Sequence, residues 1–452
     1  MLSLLPTAGR RSRAGSASTA AAVAAVLLAA CDGTPIEPAR PLLSPAAIHD
    51  LSRSTAAAPD PAVLAALGGR IFSDPTLSLK QNQSCASCHD PSWGFSSPNA
   101  TVNAAGAVMF GSINTRTGIR KPPSLAYATQ APVLYYDPDD DTYVGGNFWD
   151  GRATGERLGS ASAEQSQAPF LDPVEQALPD LACVVYRITK GAYLTTYTSA
   201  YGTSIKSIAW PSNTNALCQT EGAKVPLTTA QRAAVVAEYD NVARAVLAYE
   251  SSPQVNQFSS KHDAVLAGKA TLTALEEEGR QLYEGQAGCA GCHPNAGTNA
   301  LMTDYTYDNI GVPANRQNPA LLRDASYRDL GLGGVLHDPD RNGQQKVPTL
   351  RNLDRRGTPN GAKSYMHNGA FKSLEQVVHF YNTRDVLPDC ASTPSPAFGV
   401  NCWPAPEVTE NVNREELGDL GLTGAQETAL VAYLKTLSDG YTVPKTGGAA
   451  KP

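Results

Sequence analysis

The sequence predicts a mainly α-helical chain of two related halves with long loops, and three observations predict it. A Cys-x-x-Cys-His run at Cys85, Cys88 and His89 recurs at Cys289, Cys292 and His293. Each run follows an amphipathic stretch, "LGGRIF" ending at Phe72 and "EEGRQLY" ending at Tyr283. Each half closes on an apolar segment of helical period, "TAQRAAVVAEYDNVARAVLAYE" in the first and "TGAQETALVAYLKTLS" in the second.

Taken in chain order, Arg10, Arg11 and Arg13 precede an apolar stretch at 20–30 that is too short to span a membrane as a stable helix. It reads as a signal peptide (1–31). Its end, "LAAC" at Cys31, resembles a bacterial lipobox, a plain secretory signal being the alternative. The chain is therefore expected in the periplasm or cell envelope, lipid-anchored at Cys31. Residues 32–58, rich in Pro, Ala and Ser, read as a flexible tether. The first half spans 59–255, the second 256–442, and 443–452 forms a disordered tail. The second opening helix is announced by a capping box, Thr273 with Glu276, followed by Leu275, Gly279, Leu282 and Tyr283 on one face.

Three chemistries can use Cys-x-x-Cys. Structural zinc usually takes both paired arms from one small module, whereas here one arm lies in each half. A thioredoxin-like pair wants a preceding strand and has no use for a following histidine. In c-type haem attachment the thiols add to the haem vinyl groups and the adjacent histidine is carried beneath the ring to ligate iron, so the histidine is needed at this one offset. The expected cofactors are thus two covalently bound haem c groups, held by Cys85, Cys88, Cys289 and Cys292, with His89 and His293 on the irons. Helix, haem motif, loops and closing helix are the plan of a cytochrome c domain. The fold class becomes two cytochrome c-like haem domains related by internal duplication.

At 452 residues the chain can bury two or three cores, and a net charge of −6 leaves no broad basic face for nucleic acid. Of nine cysteines, four serve haem and Cys31 serves lipid, which leaves Cys183, Cys218, Cys390 and Cys402. Local spacing favours Cys183 with Cys218 and Cys390 with Cys402, four buried free thiols being the alternative.

Further blocks carry a resemblance: "FWDGRA" (148–153), "EQSQAPFLDPVEQ" (164–176), "TDYTYDNIGVP" (303–313), "KVPTLRNL" (346–353) and "YMHNGAFKSLEQVVHFYN" (365–382). Together with the haem motifs, they make residues 63–437 resemble the bacterial di-haem cytochrome c peroxidases, which include MauG. The resemblance implies that peroxide reacts at the N-terminal haem and that the C-terminal haem stores or relays an electron. Many members cap the first iron with a histidine shortly after the first motif. This chain has no histidine from Asp90 to Arg152, so the resemblance implies an open first iron. Gln165 and Glu175 match the family's distal pair, and the prolines between them suggest a bent loop over one haem. A buried carboxylate there can act as general acid and base. Trp149 matches the tryptophan between the haems.

At the second iron, Tyr381 stands where many members have methionine. A phenolate is hard and anionic and favours the oxidised metal, whereas a thioether favours the reduced one. Met366, His367 and His379 are the rival ligands. The family's inter-domain calcium site uses an asparagine where this chain has Tyr127, and carbonyls at positions now occupied by Ala362 and Ser364. Backbone carbonyls survive side-chain change, so calcium stays open. MauG's surface tryptophan before the second motif is Ala287 here. The expected partners are hydrogen peroxide and either a small electron-donor protein, cytochrome c or cupredoxin, or a protein substrate. Membrane contact is expected only through the lipid anchor. The alternative is a di-haem cytochrome that only transfers electrons.

Overall fold

Two helix pairs set the architecture. In the first, Asp60 caps the helix Pro61–Phe72 by accepting from the Ala62 amide, and Pro61 occupies the first turn, where its missing N–H costs nothing. Leu67, Gly68, Ile71 and Phe72 form its buried face. That face lies on the helix Thr229–Glu250, which begins with the capping box Thr228/Gln231. In the second pair, Ala274–Glu284 begins with the capping box Thr273/Glu276 and packs on Gly424–Lys435, which begins with Thr423/Gln426. The computed structural model that gives these elements describes residues 59–444. The signal sequence, Cys31, the tether and the tail from residue 445 lie outside the described residues.

Both pairs touch through a glycine. A Cβ on Gly68 would sit 1.8 Å from the Ala245 carbonyl oxygen, and one on Gly279 would sit 2.0 Å from that of Ala429. The same crossing then lays Tyr249 against Gly68 and Tyr433 against Gly279. Helix backbones come this close only where one side chain is absent.

Around these pairs the chain is helix and loop, with two small antiparallel ladders: Tyr135–Asp137 with Thr142–Val144, and Tyr307–Asp308 with Gln345–Lys346. One apolar cluster gathers Leu67, Ile71, Phe72, Phe170, Val185, Tyr197 and Val246, all from the first half. Another gathers Tyr283, Met302, Leu374, Leu430 and Leu434 from the second. The Cys183–Cys218 and Cys390–Cys402 disulfides are formed. Closing sequence separations of 35 and 12 residues constrains the unfolded chain by roughly 3–4 and 3 kcal/mol on the chain-entropy account.

Buried polar side chains tie the halves together. Arg120 reaches across to Asp329 with two parallel bonds of 2.6 Å and also contacts Asp150. Lys363, 6% exposed, donates to the carbonyls of Arg355 (2.8 Å), Asn352 (3.1 Å) and Trp93 (3.4 Å). Among the described residues no helix is long and apolar enough to cross a membrane.

The crossing yields a stability test. Alanine at Gly279 gains about 1 kcal/mol of helix propensity, but the methyl meets a backbone oxygen that cannot swing away, and overpacking costs roughly 1–3 kcal/mol or more. Gly279→Ala should lower the thermal unfolding midpoint of the holoprotein. A midpoint at or above the wild-type value would mean that the helices separate without loss.

Candidate functional site

Each Cys-x-x-Cys-His run is a tight turn. In the first, the amides of Cys88 and His89 both donate to the Cys85 carbonyl, and Ser84 and Ser87 cap the turn. In the second, the His293 amide donates to the Cys289 carbonyl, and the Tyr283 hydroxyl donates to that of His293. Winding the chain this way brings two thiols and an imidazole to one wall. His89 Nδ1 lies 2.9 Å from the Phe95 carbonyl, and His293 Nδ1 lies 2.9 Å from the Met302 carbonyl. A carbonyl only accepts, so Nδ1 carries the proton and Nε2 keeps its lone pair. Phe95 and Met302 both have φ of +56°, so each carbonyl is aimed by a left-handed residue.

A cavity of about 790 Å³ is lined by Cys88, His89, Trp149, Gln165, Glu175, Cys289, Cys292, His293 and Tyr381. Cys85 lines a smaller space of about 40 Å³ beside it, shared with Cys88, His89, Gln165 and Glu175. All ten residues named from sequence therefore meet at one site. The four thiols are unpaired. Burial pushes Cys88, Cys289 and Cys292 up to about 12, and Cys85 higher still, so all four stay protonated at neutral pH. That is the reverse of a reactive redox pair, whose thiols are lowered. Unpaired thiols beside an imidazole with a free Nε2, twice over in one cavity, fit two covalently attached haems.

Gln165 and Glu175 depart from expectation in one respect. Gln165 lies on a helix, Ala161–Leu171, rather than in a bent loop, and Pro169 sits inside that helix. The proline's missing N–H would have bonded the Gln165 carbonyl, and a single lost bond near the C-terminal end is tolerated. The chain bends only after Leu171, where the Glu175 amide donates to the Asp172 carbonyl. The Glu175 carboxyl faces the cavity without a hydrogen bond from the described residues. Burial, reinforced by Asp172 and opposed by Arg152, raises it to about 7.

Trp149 is fixed at both ends. Its indole N–H donates to the Lys121 carbonyl at 2.9 Å, and its own carbonyl accepts from the Lys346 amide at 2.8 Å. In the second half, Tyr381 projects from the helix Leu374–Thr383, and its phenol is held protonated by burial and by nearby Cys289 and Asp308. His379, on the same helix, turns instead to Glu427 at 2.9 Å and does not line the cavity. Met366 and His367 do line it. His367 Nε2 is buried without a hydrogen bond, 3.6 Å from Glu407 and 3.9 Å from Asp329. Where the resemblance allowed calcium, the Ala362 carbonyl accepts from Asn103 Nδ2 at 2.9 Å, and the Tyr127 hydroxyl donates to Asp439.

Sequence reasoning missed several lining residues. Glu250, the last residue of its helix, is 3% exposed, faces both spaces, and is raised by burial to about 8. Lys121 and Lys346 are lowered by burial to about 8 and about 7. Neither Glu250 nor Lys121 sits in one of the blocks that carry the resemblance. The one signal was position, since Glu250 ends the apolar helix and Lys346 opens the "KVPTLRNL" block.

A single helical chain with two haem-attachment turns on one cavity defines a di-haem c-type cytochrome with a buried carboxyl at one site. Comparison with known proteins identifies it further. The family description "Di-haem cytochrome c peroxidase" matches residues 62–271. The chain is 34% identical over 409 residues to the methylamine utilization protein MauG of Paracoccus denitrificans, covering 88% of this chain and 94% of that one. It is 27% identical over 326 residues to the cytochrome c551 peroxidase of Nitrosomonas europaea, covering 72% and 74%. The fold is similar to the crystal structure of the di-haem peroxidase BthA of Burkholderia thailandensis, with TM-score 0.64, 29% identity, and 87% and 91% of the two chains covered. The chain belongs to the di-haem cytochrome c peroxidase and MauG family. It is an oxidoreductase that uses peroxide, and its cofactors are two c-type haems.

Attachment can be tested one site at a time. Mass spectrometry of the intact protein should find two covalent haems. Cys85→Ser and Cys289→Ser should each weaken the attachment of one. Two full-strength attachments in either variant would remove that cysteine from the site.

Proposed function

We propose that the protein reduces hydrogen peroxide at the His89 site and holds the second oxidising equivalent at the His293 site, in the manner of the MauG branch. Bound haem supplies the iron that meets peroxide and the redox store. The chain supplies protons, ligands and a path. Glu175 takes the proton from the near oxygen of peroxide and returns it to the departing one, with Gln165 as polar partner. Trp149, held between Lys121 and Lys346, carries charge between the two sites. Tyr381 ligates the second iron as phenolate. Because its phenol is otherwise protonated, ligation releases a proton and strengthens as pH rises.

One observation carries this reading. In a single cavity, Glu175 in the first half and Tyr381 in the second present functional oxygens that no described residue engages. A protein that only transferred electrons would have no use for such a carboxyl. The near-identical glycine crossings at Gly68 and Gly279 support internal duplication, with domains at 59–255 and 256–442. The N-terminal features support export and a lipid anchor at Cys31. The electrons come from a small donor protein or from side chains of a protein substrate. Lys363 donates to three carbonyls between the halves, where the resemblance allowed calcium.

A general base must be ionised to accept a proton, so the reaction of the resting protein with peroxide should speed up as pH rises through about 7. Glu175→Gln should slow it by about two to four powers of ten, the usual range for losing such a group, and abolish the pH step. Stopped-flow absorbance reads both, and an unchanged rate would place proton transfer elsewhere.

Tyr381→Phe should convert the second haem from low-spin to high-spin, with the first unchanged. Tyr381→Met should raise its potential by roughly hundreds of millivolts, within the span over which axial ligands tune haem. A Phe variant that stays low-spin would make Met366 or His367 the ligand.

A further inference from the structure

A cavity of about 790 Å³ is too small to admit a protein donor, so electrons from one must cross the shell around it. Ala287 offers no aromatic group before the second motif. A different aromatic route leads outward from Tyr381. Its neighbour Phe380 is fully buried, with ring centroids 6.4 Å apart. Phe380 meets Trp403 edge-on at 5.2 Å, and Trp403 meets Phe398 at 5.2 Å. Trp403 is 3% exposed, and its indole N–H donates to Thr383 Oγ1 at 3.0 Å.

Only a thin layer covers that indole. Gly399 lies over the ring, and a Cβ added there would sit 2.8 Å from Cη2. Its φ of +66° also favours glycine. On either side, Phe398 is 38% and Val400 73% exposed. The Cys390–Cys402 disulfide closes this loop, and backbone bonds from Trp403 to Pro388 and from Cys390 to Trp403 hold the indole under it. The result is an oxidisable ring, one glycine deep, beneath an apolar and covalently stiffened surface. Of the other tryptophans, Trp149 lines the cavity, Trp93 is packed under Gly357 and Gly361, and Trp210 meets Tyr186 edge-on and does not line the cavity.

We propose that Trp403 is the relay by which electrons enter from a docked donor protein, and that the 390–402 loop is its contact surface. This rests on the peroxidase reading with Tyr381 at the second site. Each donor molecule gives one electron. Trp403 passes one of its own to the second site and is refilled by the donor. Two such transfers, with two protons, convert one peroxide into two waters. The donor is a one-electron redox protein whose centre lies under an apolar face, because Phe398 and Val400 gain by being covered while Gly399 lets that face approach the indole.

The test uses the full-length holoprotein, hydrogen peroxide and a reduced small cytochrome c. Trp403→Phe should keep both covalent haems, the resting spectrum and the peroxide reaction, yet lose about tenfold or more of donor turnover. Trp403→Tyr should restore much of it, because phenol is oxidisable and the ring packing is kept. With peroxide and no donor, peptide mapping should find oxygen adducts on Trp403 ahead of Trp93 and Trp210. Unchanged turnover in the Phe variant, or equal loss in Phe and Tyr, would overturn the relay. A wild type that does not react with peroxide would instead overturn the peroxidase reading, and the relay with it.

Discussion

The structure depends on how closely two helices can approach at a glycine. The motif-bearing turns follow Pro61–Phe72 through the loop 73–84 and Ala274–Glu284 through the short connection 285–288, and those helices are placed by carbonyl contacts that no side chain could share. The distance from helix to partner helix thus sets where the thiols and imidazoles stand. Loosening either crossing would move a whole attachment turn.

Around that frame, the cavity collects charge that a packed core would exclude. Glu175, Glu250, Lys121 and Lys346 all line it, and desolvation pushes each towards its neutral form. Where charge is retained it is paired, as in the Arg120, Asp329 and Asp150 group that bridges the halves. This division has a mechanistic use. Neutralised groups can exchange protons near physiological pH, whereas the paired ones hold geometry.

Local signals were readable in the sequence, and long-range ones were not. The closing helices, the Thr273 capping box and both disulfides follow from period, cap chemistry and short spacing, and each stands where those rules put it. The motifs located nine of the ten residues on the main cavity's wall and placed Cys85 beside it. Pro169 misled because a breaker near a helix end costs only one bond, so Gln165 is helical. The Lys363 carbonyl cage, the Glu250 carboxyl and the Trp403 cluster carried no motif, since each is assembled by tertiary packing. Of the rivals to Tyr381, helical spacing puts His379 on another face, where Glu427 holds it, while Met366 and His367 still line the cavity.

The left-handed residues behind the two imidazoles carry a different lesson. In each case the acceptor for Nδ1–H is a main-chain oxygen, from Phe95 and from Met302. Such an acceptor has no proton to lose and no side chain to exchange, so neither acidity nor an ordinary substitution can retune the basicity it gives the ring. Drift at these positions is silent as long as the turn survives. The two sites can therefore diverge only through their other neighbours, a carboxyl and an amide beside His89 and a phenol beside the second pair of thiols. Sameness is stored in the backbone, and difference is left to the side chains.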